Sequence, residues 1–357
     1  MKTEYGLGSS EEISVMADYR AYAVACIEAL DGWYNTENGL WDSMGWWNAA
    51  NAIEALIDHA LVTGTDFSAS VITNTFERNV KSKFFSNYYD DEGWWALAWI
   101  KAYDWTQDER YLASAETIFE DMCKGWDDVC GGGLWWKKDR TYKAAIQNEL
   151  FLTVAARLFE RVADATYLEW TYKEWDWFQK SGMLNAQSLV NNGLNDACQN
   201  DGKPPWTYNQ GVILGALVEI YKIKQGSGET DAVHFLQQAR AIADAAITTL
   251  VNENGILTEP CEADNGCDGN GTQFKGIFMR NLGYLCRTLR EKNKDSSFYG
   301  RYQQFIVKNA DSIWANNRNS QNQFGLKWAG PVDAVDASRQ LSALDAFNAA
   351  IPFGSLS

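Results

Sequence analysis

Apolar residues along this chain recur with the period of a helix and almost nowhere with the two-residue alternation of a half-buried strand. Tyr111, Leu112, Ala115, Ile118, Phe119 and Met122 fall at i, i+1, i+4, i+7, i+8 and i+11, the stripe of a helix with one buried face. Similar one-sided patterns begin near residues 11, 66, 166, 231 and 296. Between them lie stretches that are apolar on almost every side, at 48–61, 94–103, 144–159, 211–223, 276–289 and 338–347. Such helices must be buried on most faces.

One-sided and fully buried helices thus alternate six times, the buried ones starting about 45 to 65 residues apart, in the range of helical-hairpin repeats. An open solenoid needs polar caps on its terminal repeats, yet the last buried stretch is as apolar as the others. The expectation is an all-α chain closed as an (α/α)6 barrel of six inner and six outer helices, residues 1–357 forming one domain. Connections into the buried helices (31–46, 125–142, 184–208, 252–274 and 319–335) are long and rich in Gly, Trp and polar residues, whereas returns such as Thr63-Gly64-Thr65 and Thr106-Gln107-Asp108 are short. Long loops gather on the working face of a scaffold, so a site is expected at the N-terminal ends of the inner helices.

Composition sharpens this picture. Seventeen Trp, 16 Tyr and 16 Phe among 357 residues exceed what core packing needs, and Trp46-Trp47, Trp94-Trp95 and Trp135-Trp136 fall in Gly-rich segments, which points to a lined cleft. A net charge of −16 repels phosphate backbones and anionic lipid, so nucleic acid and membrane insertion are excluded as partners and a neutral polymer fits better. A monomer is expected. Residues 1–12 are polar, no apolar run spans a membrane, and 351–357 lack the hydrophobic tail of a lipid-anchor signal, so a mature or trimmed chain is expected.

Among the seven Cys, Cys123 with Cys130 and Cys261 with Cys267 each flank a short loop, which predicts two loop disulfides. Cys26 and Cys286 fall in helical patterns as buried thiols, and Cys198 has no assigned role. Disulfides and the N-glycosylation acceptor Asn270-Gly271-Thr272 both point to secretion.

Several chemistries lack parts. Only two His exist, His59 deep in a buried pattern and His234 on an outer one, which argues against His triads and His-ligated metals; no metal or other cofactor is expected. Gly131-Gly132-Gly133 follows no strand and reads as a flexible turn. Carboxylates remain. Asp90-Asp91 stand at an inner-helix entrance within Asn87-Tyr88-Tyr89-Asp90-Asp91-Glu92-Gly93-Trp94-Trp95, beside flat rings that suit pyranoses. Asp127-Asp128 is a rival pair, set in a loop where turn-forming Asp is common. The other entrances carry Gln147, Asn148 and Glu149, then Tyr208, Asn209 and Gln210, then Phe274 and Lys275, groups suited either to sugar hydroxyls or to helix capping.

Tyr88–Trp95, Gln147-Asn148-Glu149-Leu150, Trp206-Thr207-Tyr208-Asn209-Gln210-Gly211 and Phe274-Lys275-Gly276-Ile277-Phe278 together resemble glycoside hydrolase family 76, the endo-α-1,6-mannanases, from about Trp41 to Phe347. The resemblance implies an (α/α)6 barrel and retaining cleavage of α-1,6-mannan or its manno-oligosaccharides, with Asp90 as nucleophile and Asp91 as general acid/base. Trp47, Tyr89, Trp94, Trp95, Gln147, Asn148, Asn192, Asp196, Tyr208, Asn209, Gln210, Phe274 and Lys275 are the expected substrate-binding residues. Asn192-Gly193 stands where relatives often show Asp-Gly, and Asp196 is the expected substitute carboxylate. The stretch 39–47 resembles secreted members more than fungal cell-wall ones. Transglycosylation and catalytically silent mannan binding are the alternatives. In a retaining pair Asp91 must hold a proton while Asp90 is ionised, so repulsion from Asp90 and enclosure by Tyr89, Trp94 and Trp95 are expected to raise Asp91.

Overall fold

The computed structural model describes residues 17–264 and 266–354. Residues 1–12, and with them the start of the first one-sided helix expected near residue 11, lie outside the described residues, as do the last three of 351–357. In chain order the helices are α1 (Tyr19–Asp31), α2 (Trp46–Thr63), α3 (Ala69–Asn79), α4 (Tyr89–Thr106), α5 (Glu109–Cys123), α6 (Ala145–Val162), α7 (Ala165–Lys180), α8 (Thr207–Gly226), α9 (Ala232–Thr249), α10 (Phe274–Lys292), α11 (Gly300–Asn316) and α12 (Ala337–Ala350). One small hairpin, β1 (Tyr34–Asn35) with β2 (Leu40–Trp41), lies between α1 and α2. Among the described residues no helix is long and apolar enough to cross a membrane.

The even-numbered helices pack each on the next, and α12 returns to α2, which closes the ring. Outside it α1 and α11 lie on α12, α5 on α4, α7 on α6 and α9 on α8, while Phe76 of α3 meets Trp99 of α4 and Tyr111 of α5 edge-on. The chain is therefore an (α/α)6 barrel, as the alternation of patterns predicts. Asp side chains cap α1, α5 and α7 by accepting free N–H groups of the first turn. Left-handed residues Gly64, Gln107 and Ala163 end α2, α4 and α6 and turn the chain sharply outward.

The barrel axis is charged. Each inner helix sends at least one ionisable side chain inward: Glu54 and Asp58 from α2, Lys101 from α4, Arg157 from α6, Glu219 from α8, Arg280 from α10 and Asp345 from α12. Lys101 pairs with Glu54 (2.8 Å) and Asp58 (2.9 Å), and Arg280 with Glu54 (2.6 Å) and Asp345 (2.7 Å). Arg157 bridges Glu54 and Glu219 at 3.5 and 3.3 Å. Removing one partner of such a group strands a buried charge, typically at a cost of about 3 to 5 kcal/mol.

A second repeated device fixes the long loops. The fourth residue of four inner helices points outward and accepts a loop N–H: Glu92 from Ser86 (3.0 Å), Asn148 from Leu134 (2.6 Å), Gln210 from Val190 (2.8 Å) and Gln340 from Phe324 (3.0 Å). The loops themselves turn on Asn185, Asn195, Asn252 and Asn319, each of which accepts backbone N–H groups two and four residues on.

Candidate active site

Where the long loops gather at the N-terminal ends of the inner helices, a cleft of about 690 Å³ opens. Its aromatic surfaces come from different helices. Trp47 of α2 stacks on Trp94 of α4 (centroids 5.7 Å apart), and Tyr208 of α8 lies face to face with Phe274 of α10 at 3.8 Å. Of the expected residues, Trp47, Asp90, Asp91, Trp94, Asn192, Tyr208 and Phe274 meet in this cleft.

Asp90 and Asp91 occupy the first turn of α4, where free N–H groups and the helix dipole favour anions. Oδ2 of Asp90 accepts the indole N–H of Trp136 at 2.9 Å, while its Oδ1 is buried without a partner. Oδ2 of Asp91 accepts the Ser86 hydroxyl at 2.8 Å. Burial first, then the charge of Asp91, pushes Asp90 up to about 7, with the Trp136 bond opposing; burial also raises Asp91, against the Ser86 bond. The expected asymmetry was the reverse. Asp90 takes the larger rise because its Oδ1 is buried without a partner and the charge of Asp91 lies beside it, and neither Tyr89 nor Trp95 lines the cleft around Asp91.

Trp136 is placed by its loop. The segment 136–138 runs beside 87–89, with Tyr89 N–H donating to Trp136 C=O (3.0 Å) and Lys138 N–H to Asn87 C=O (3.0 Å). Lys138 then spans Glu92 (2.8 Å) and Asp121 (2.6 Å). The turn before it is organised by the buried ammonium of Lys143, which donates to Asp127 Oδ1 (2.9 Å) and to the carbonyls of Val129, Gly132 and Gly133. Asp127 therefore works as a structural acceptor, with further bonds from Trp135 and Arg140. Nor is the glycine triplet a loose turn: a Cβ on Gly132 or Gly133 would lie 2.7 or 2.3 Å from the Trp177 ring.

Six expected residues have other work. Trp95 is core, packed on Trp46, Phe84 and Trp99. Tyr89 closes over Gly125 and lies under the Lys138 ammonium. Gln147 and Asn148 hold Leu134, Gln210 holds Val190, and Lys275 donates to Glu262 and to the Leu326 carbonyl. Asn209 is buried with neither amide atom partnered, and Asp196 lines a separate cavity of about 230 Å³ beside Cys198. The carboxylate next to Asn192 is instead Asp201, joined to it through the hydroxyl of Tyr142. Tyr142, Lys137 and Lys203 line the cleft unforeseen, and Tyr88, Trp136 and Asn270, singled out in the sequence without being assigned to substrate, line it as well. The tryptophan pair in a Gly-rich loop was the one signal for Trp136. Asn270, read as a glycan acceptor, accepts the Trp47 indole N–H at 2.9 Å inside the cleft wall.

The disulfides also differ. Cys130 bonds Cys198 across 68 residues, joining the loop that carries Trp136 to the one that carries Asn192, and Cys123 is a free thiol. Cys123 ends α5, whereas the Cα of Cys130 lies 5.2 Å from that of Cys198. Cys261–Cys267 is as expected, and Cys26 and Cys286 are buried thiols.

Among solved structures, the GH76A α-1,6-mannanase of Salegentibacter sp. HEL1_6 superposes with a TM-score of 0.82 at 26% identity, over 93% of this chain and 99% of that one. An inactive variant of that enzyme with two aspartates replaced, in complex with α-1,6-mannotetrose, gives 0.80 at 26% identity, over 94% of this chain and 99% of that one. In sequence, the mannan endo-1,6-alpha-mannosidase DCW1 of Eremothecium gossypii is 27% identical over 74% of this chain; the match spans 57% of that relative's length. DCW1 of Saccharomyces cerevisiae is 25% identical over 85% of this chain and 71% of the relative. The family profile described as glycosyl hydrolase family 76 matches residues 17–353, so the chain belongs to that family.

Proposed function

We propose that this chain is a retaining endo-α-1,6-mannanase that works as one catalytic domain outside the cell. The observation that carries the reading is the placement of Asp90 and Asp91 side by side on the first turn of α4, facing an aromatic-walled cleft. Support comes from the Salegentibacter enzyme, whose variant lacking two aspartates is inactive and is seen with an α-1,6-linked manno-oligosaccharide. The two disulfides fit an oxidising compartment.

Both carboxyls are raised, Asp90 by burial and then by the charge of Asp91, and Asp91 by burial, and two adjacent carboxyls titrate as a pair and not as separate residues. Asp90, whose anion the Trp136 N–H and the helix terminus stabilise, attacks the anomeric carbon; Asp91 gives its proton to the departing oxygen. Water then attacks the glycosyl ester and returns a proton to Asp91, leaving the α-configuration retained. Trp47, Trp94, Tyr208 and Phe274 hold the sugar rings.

Unbranched α-1,6-mannan tests the reading by product sizing. Progressive shortening to manno-oligosaccharides is the expected result, and products longer than the starting oligosaccharide would replace hydrolysis by transglycosylation. No cleavage or transfer anywhere between about pH 4 and 8 would remove the enzyme reading.

A further inference from the structure

On one wall of the cleft a phenol oxygen makes two hydrogen bonds among the described residues. Tyr142 donates its hydroxyl proton to Oδ2 of Asp201 at 2.5 Å and accepts an N–H from Asn192 Nδ2 at 2.9 Å. The Asp201 side chain is 5% exposed; its Oδ1 accepts the Lys203 N–H (3.0 Å), and the Lys203 ammonium lies 3.5 Å from Oδ2 and 4.4 Å from the Tyr142 ring centre. The site is built for this contact. A Cβ at residue 193 would stand 2.4 Å from the Tyr142 oxygen, so glycine is required there. The strands around it pair through Ala145 N–H to Asn192 C=O (2.8 Å) and Leu194 N–H to Lys143 C=O (3.0 Å).

A carboxylate only accepts hydrogen bonds, so it commits the phenol proton. A phenol oxygen has two acceptor positions besides that proton, and Asn192 fills one. One acceptor position is left for a ligand. We propose that Asp201 is a positioning residue that fixes Tyr142 as a hydrogen-bond acceptor in the cleft, so that this wall selects a sugar ring presenting a hydroxyl donor there. Neither Asp201 nor Asp196 touches the ligand in this arrangement; the carboxylate acts through the phenol. Burial and Asp201 also hold the Tyr142 phenol well above its ordinary value, so it keeps the proton it donates. The inference rests on the mannan-cleaving reading above.

Steady-state kinetics on a linear α-1,6-manno-oligosaccharide tests it with Asp201→Ala, Asp201→Asn, Tyr142→Phe and the Asp201→Ala/Tyr142→Phe pair. Asp201→Ala and Tyr142→Phe are each expected to raise KM about tenfold while kcat stays within about twofold, since a binding contact and no reacting group is lost. The double variant is expected to match Tyr142→Phe alone, because Asp201 acts only through that oxygen. Asp201→Asn keeps a carbonyl acceptor and is expected to return KM to within about threefold of the parent. Losses that multiply in the double variant, an unchanged KM in Asp201→Ala, a fall confined to kcat, or an Asp201→Asn no better than Asp201→Ala would each overturn the inference. Should Asp201→Ala fail to fold, Tyr142→Phe must raise KM and Asp201→Asn must not. A parent chain that cuts no mannan defeats the functional reading itself, a result distinct from all of these.

Discussion

The indole N–H of Trp136 donates to Oδ2 of Asp90 across 2.9 Å, from a loop 46 residues further along the chain. This bond stabilises the anion and opposes the upward push of burial. Trp136→Phe is therefore expected to raise Asp90 further. Because Asp90 must be ionised to attack, the acid limb of the kcat/KM profile should move to higher pH and activity at pH 5 should fall about tenfold or more, the worth of a hydrogen bond to a charged group. An unshifted acid limb in the variant would show that the bond does not tune the nucleophile.

Replacing the two carboxyls should have unequal effects. Asp90→Asn is expected to abolish the glycosyl intermediate, with kcat down by about a thousandfold or more. Asp91→Ala should retain slow turnover on substrates with a good leaving group and regain rate with azide. Proton NMR should show the α-anomer released first; an initial β-anomer would overturn the nucleophile assignment.

Thermal stability should fall as pH rises from 5 to 8. Burial raises Glu92 to about 7, Glu174 and Glu259 to about 8, and Asp345 to about 6, so the folded chain holds protons that the unfolded chain has released. Stability from a raised carboxyl is fully present below its unfolded value near 4.3 and is lost as pH climbs through the folded one. Glu219, lowered to about 2 chiefly by Arg157 and Lys222 against the opposing effect of burial, acts in the other direction, but only below that same value. Calorimetry should give a Tm at least about 3 °C higher at pH 5 than at pH 8; a higher Tm at pH 8 would contradict the burial argument.

Lys143→Met should destabilise the chain by about 3 to 5 kcal/mol, since it leaves Asp127 and three carbonyls without their shared donor. The turn also positions Trp136, so mannan cleavage should fall in protein that still folds. Denaturant titration checks the first effect and kinetics the second.

Peptide mapping without reduction should recover Cys130–Cys198 and Cys261–Cys267, with the buried Cys26 and Cys286 alkylated only after unfolding and the half-buried Cys123 recovered as a free thiol. Recovery of a Cys123–Cys130 peptide would reverse the pairing given above.

The barrel was legible because burial writes its period into every inner helix; the Asp pair could be placed at the start of α4, although acidic residues there also serve to cap a helix and complement its dipole. Asn148 and Gln210 misled for a physical reason. A polar side chain at the fourth position of a buried helix reads the same whether it meets a sugar or clamps a loop, and only the direction in which it points distinguishes the two. Tyr142, Asp201 and Lys203 were invisible because nothing periodic constrains a loop, and their meeting depends on the pairing of 143–145 with 192–194. Sequence proximity favoured Cys123 for Cys130, whereas the fold brings Cys198 within 5.2 Å between Cα atoms.

The charged axis has a bearing on aim. Trp47 and Asp58, Asp90 and Lys101, Ile146 and Arg157, and Tyr208 and Glu219 are each eleven residues apart on α2, α4, α6 and α8. Eleven residues make about three turns, so the two members of each pair share a face some 16 Å apart along the helix. Turning any of these helices by one residue would swing its ionic group about 100° into an apolar wall. The ion pairs at the middle of the barrel thus act like a keyway on a shaft: they set the angle at which each helix is locked, and with it the heading of Asp90 and of the aromatic rings that wall the cleft.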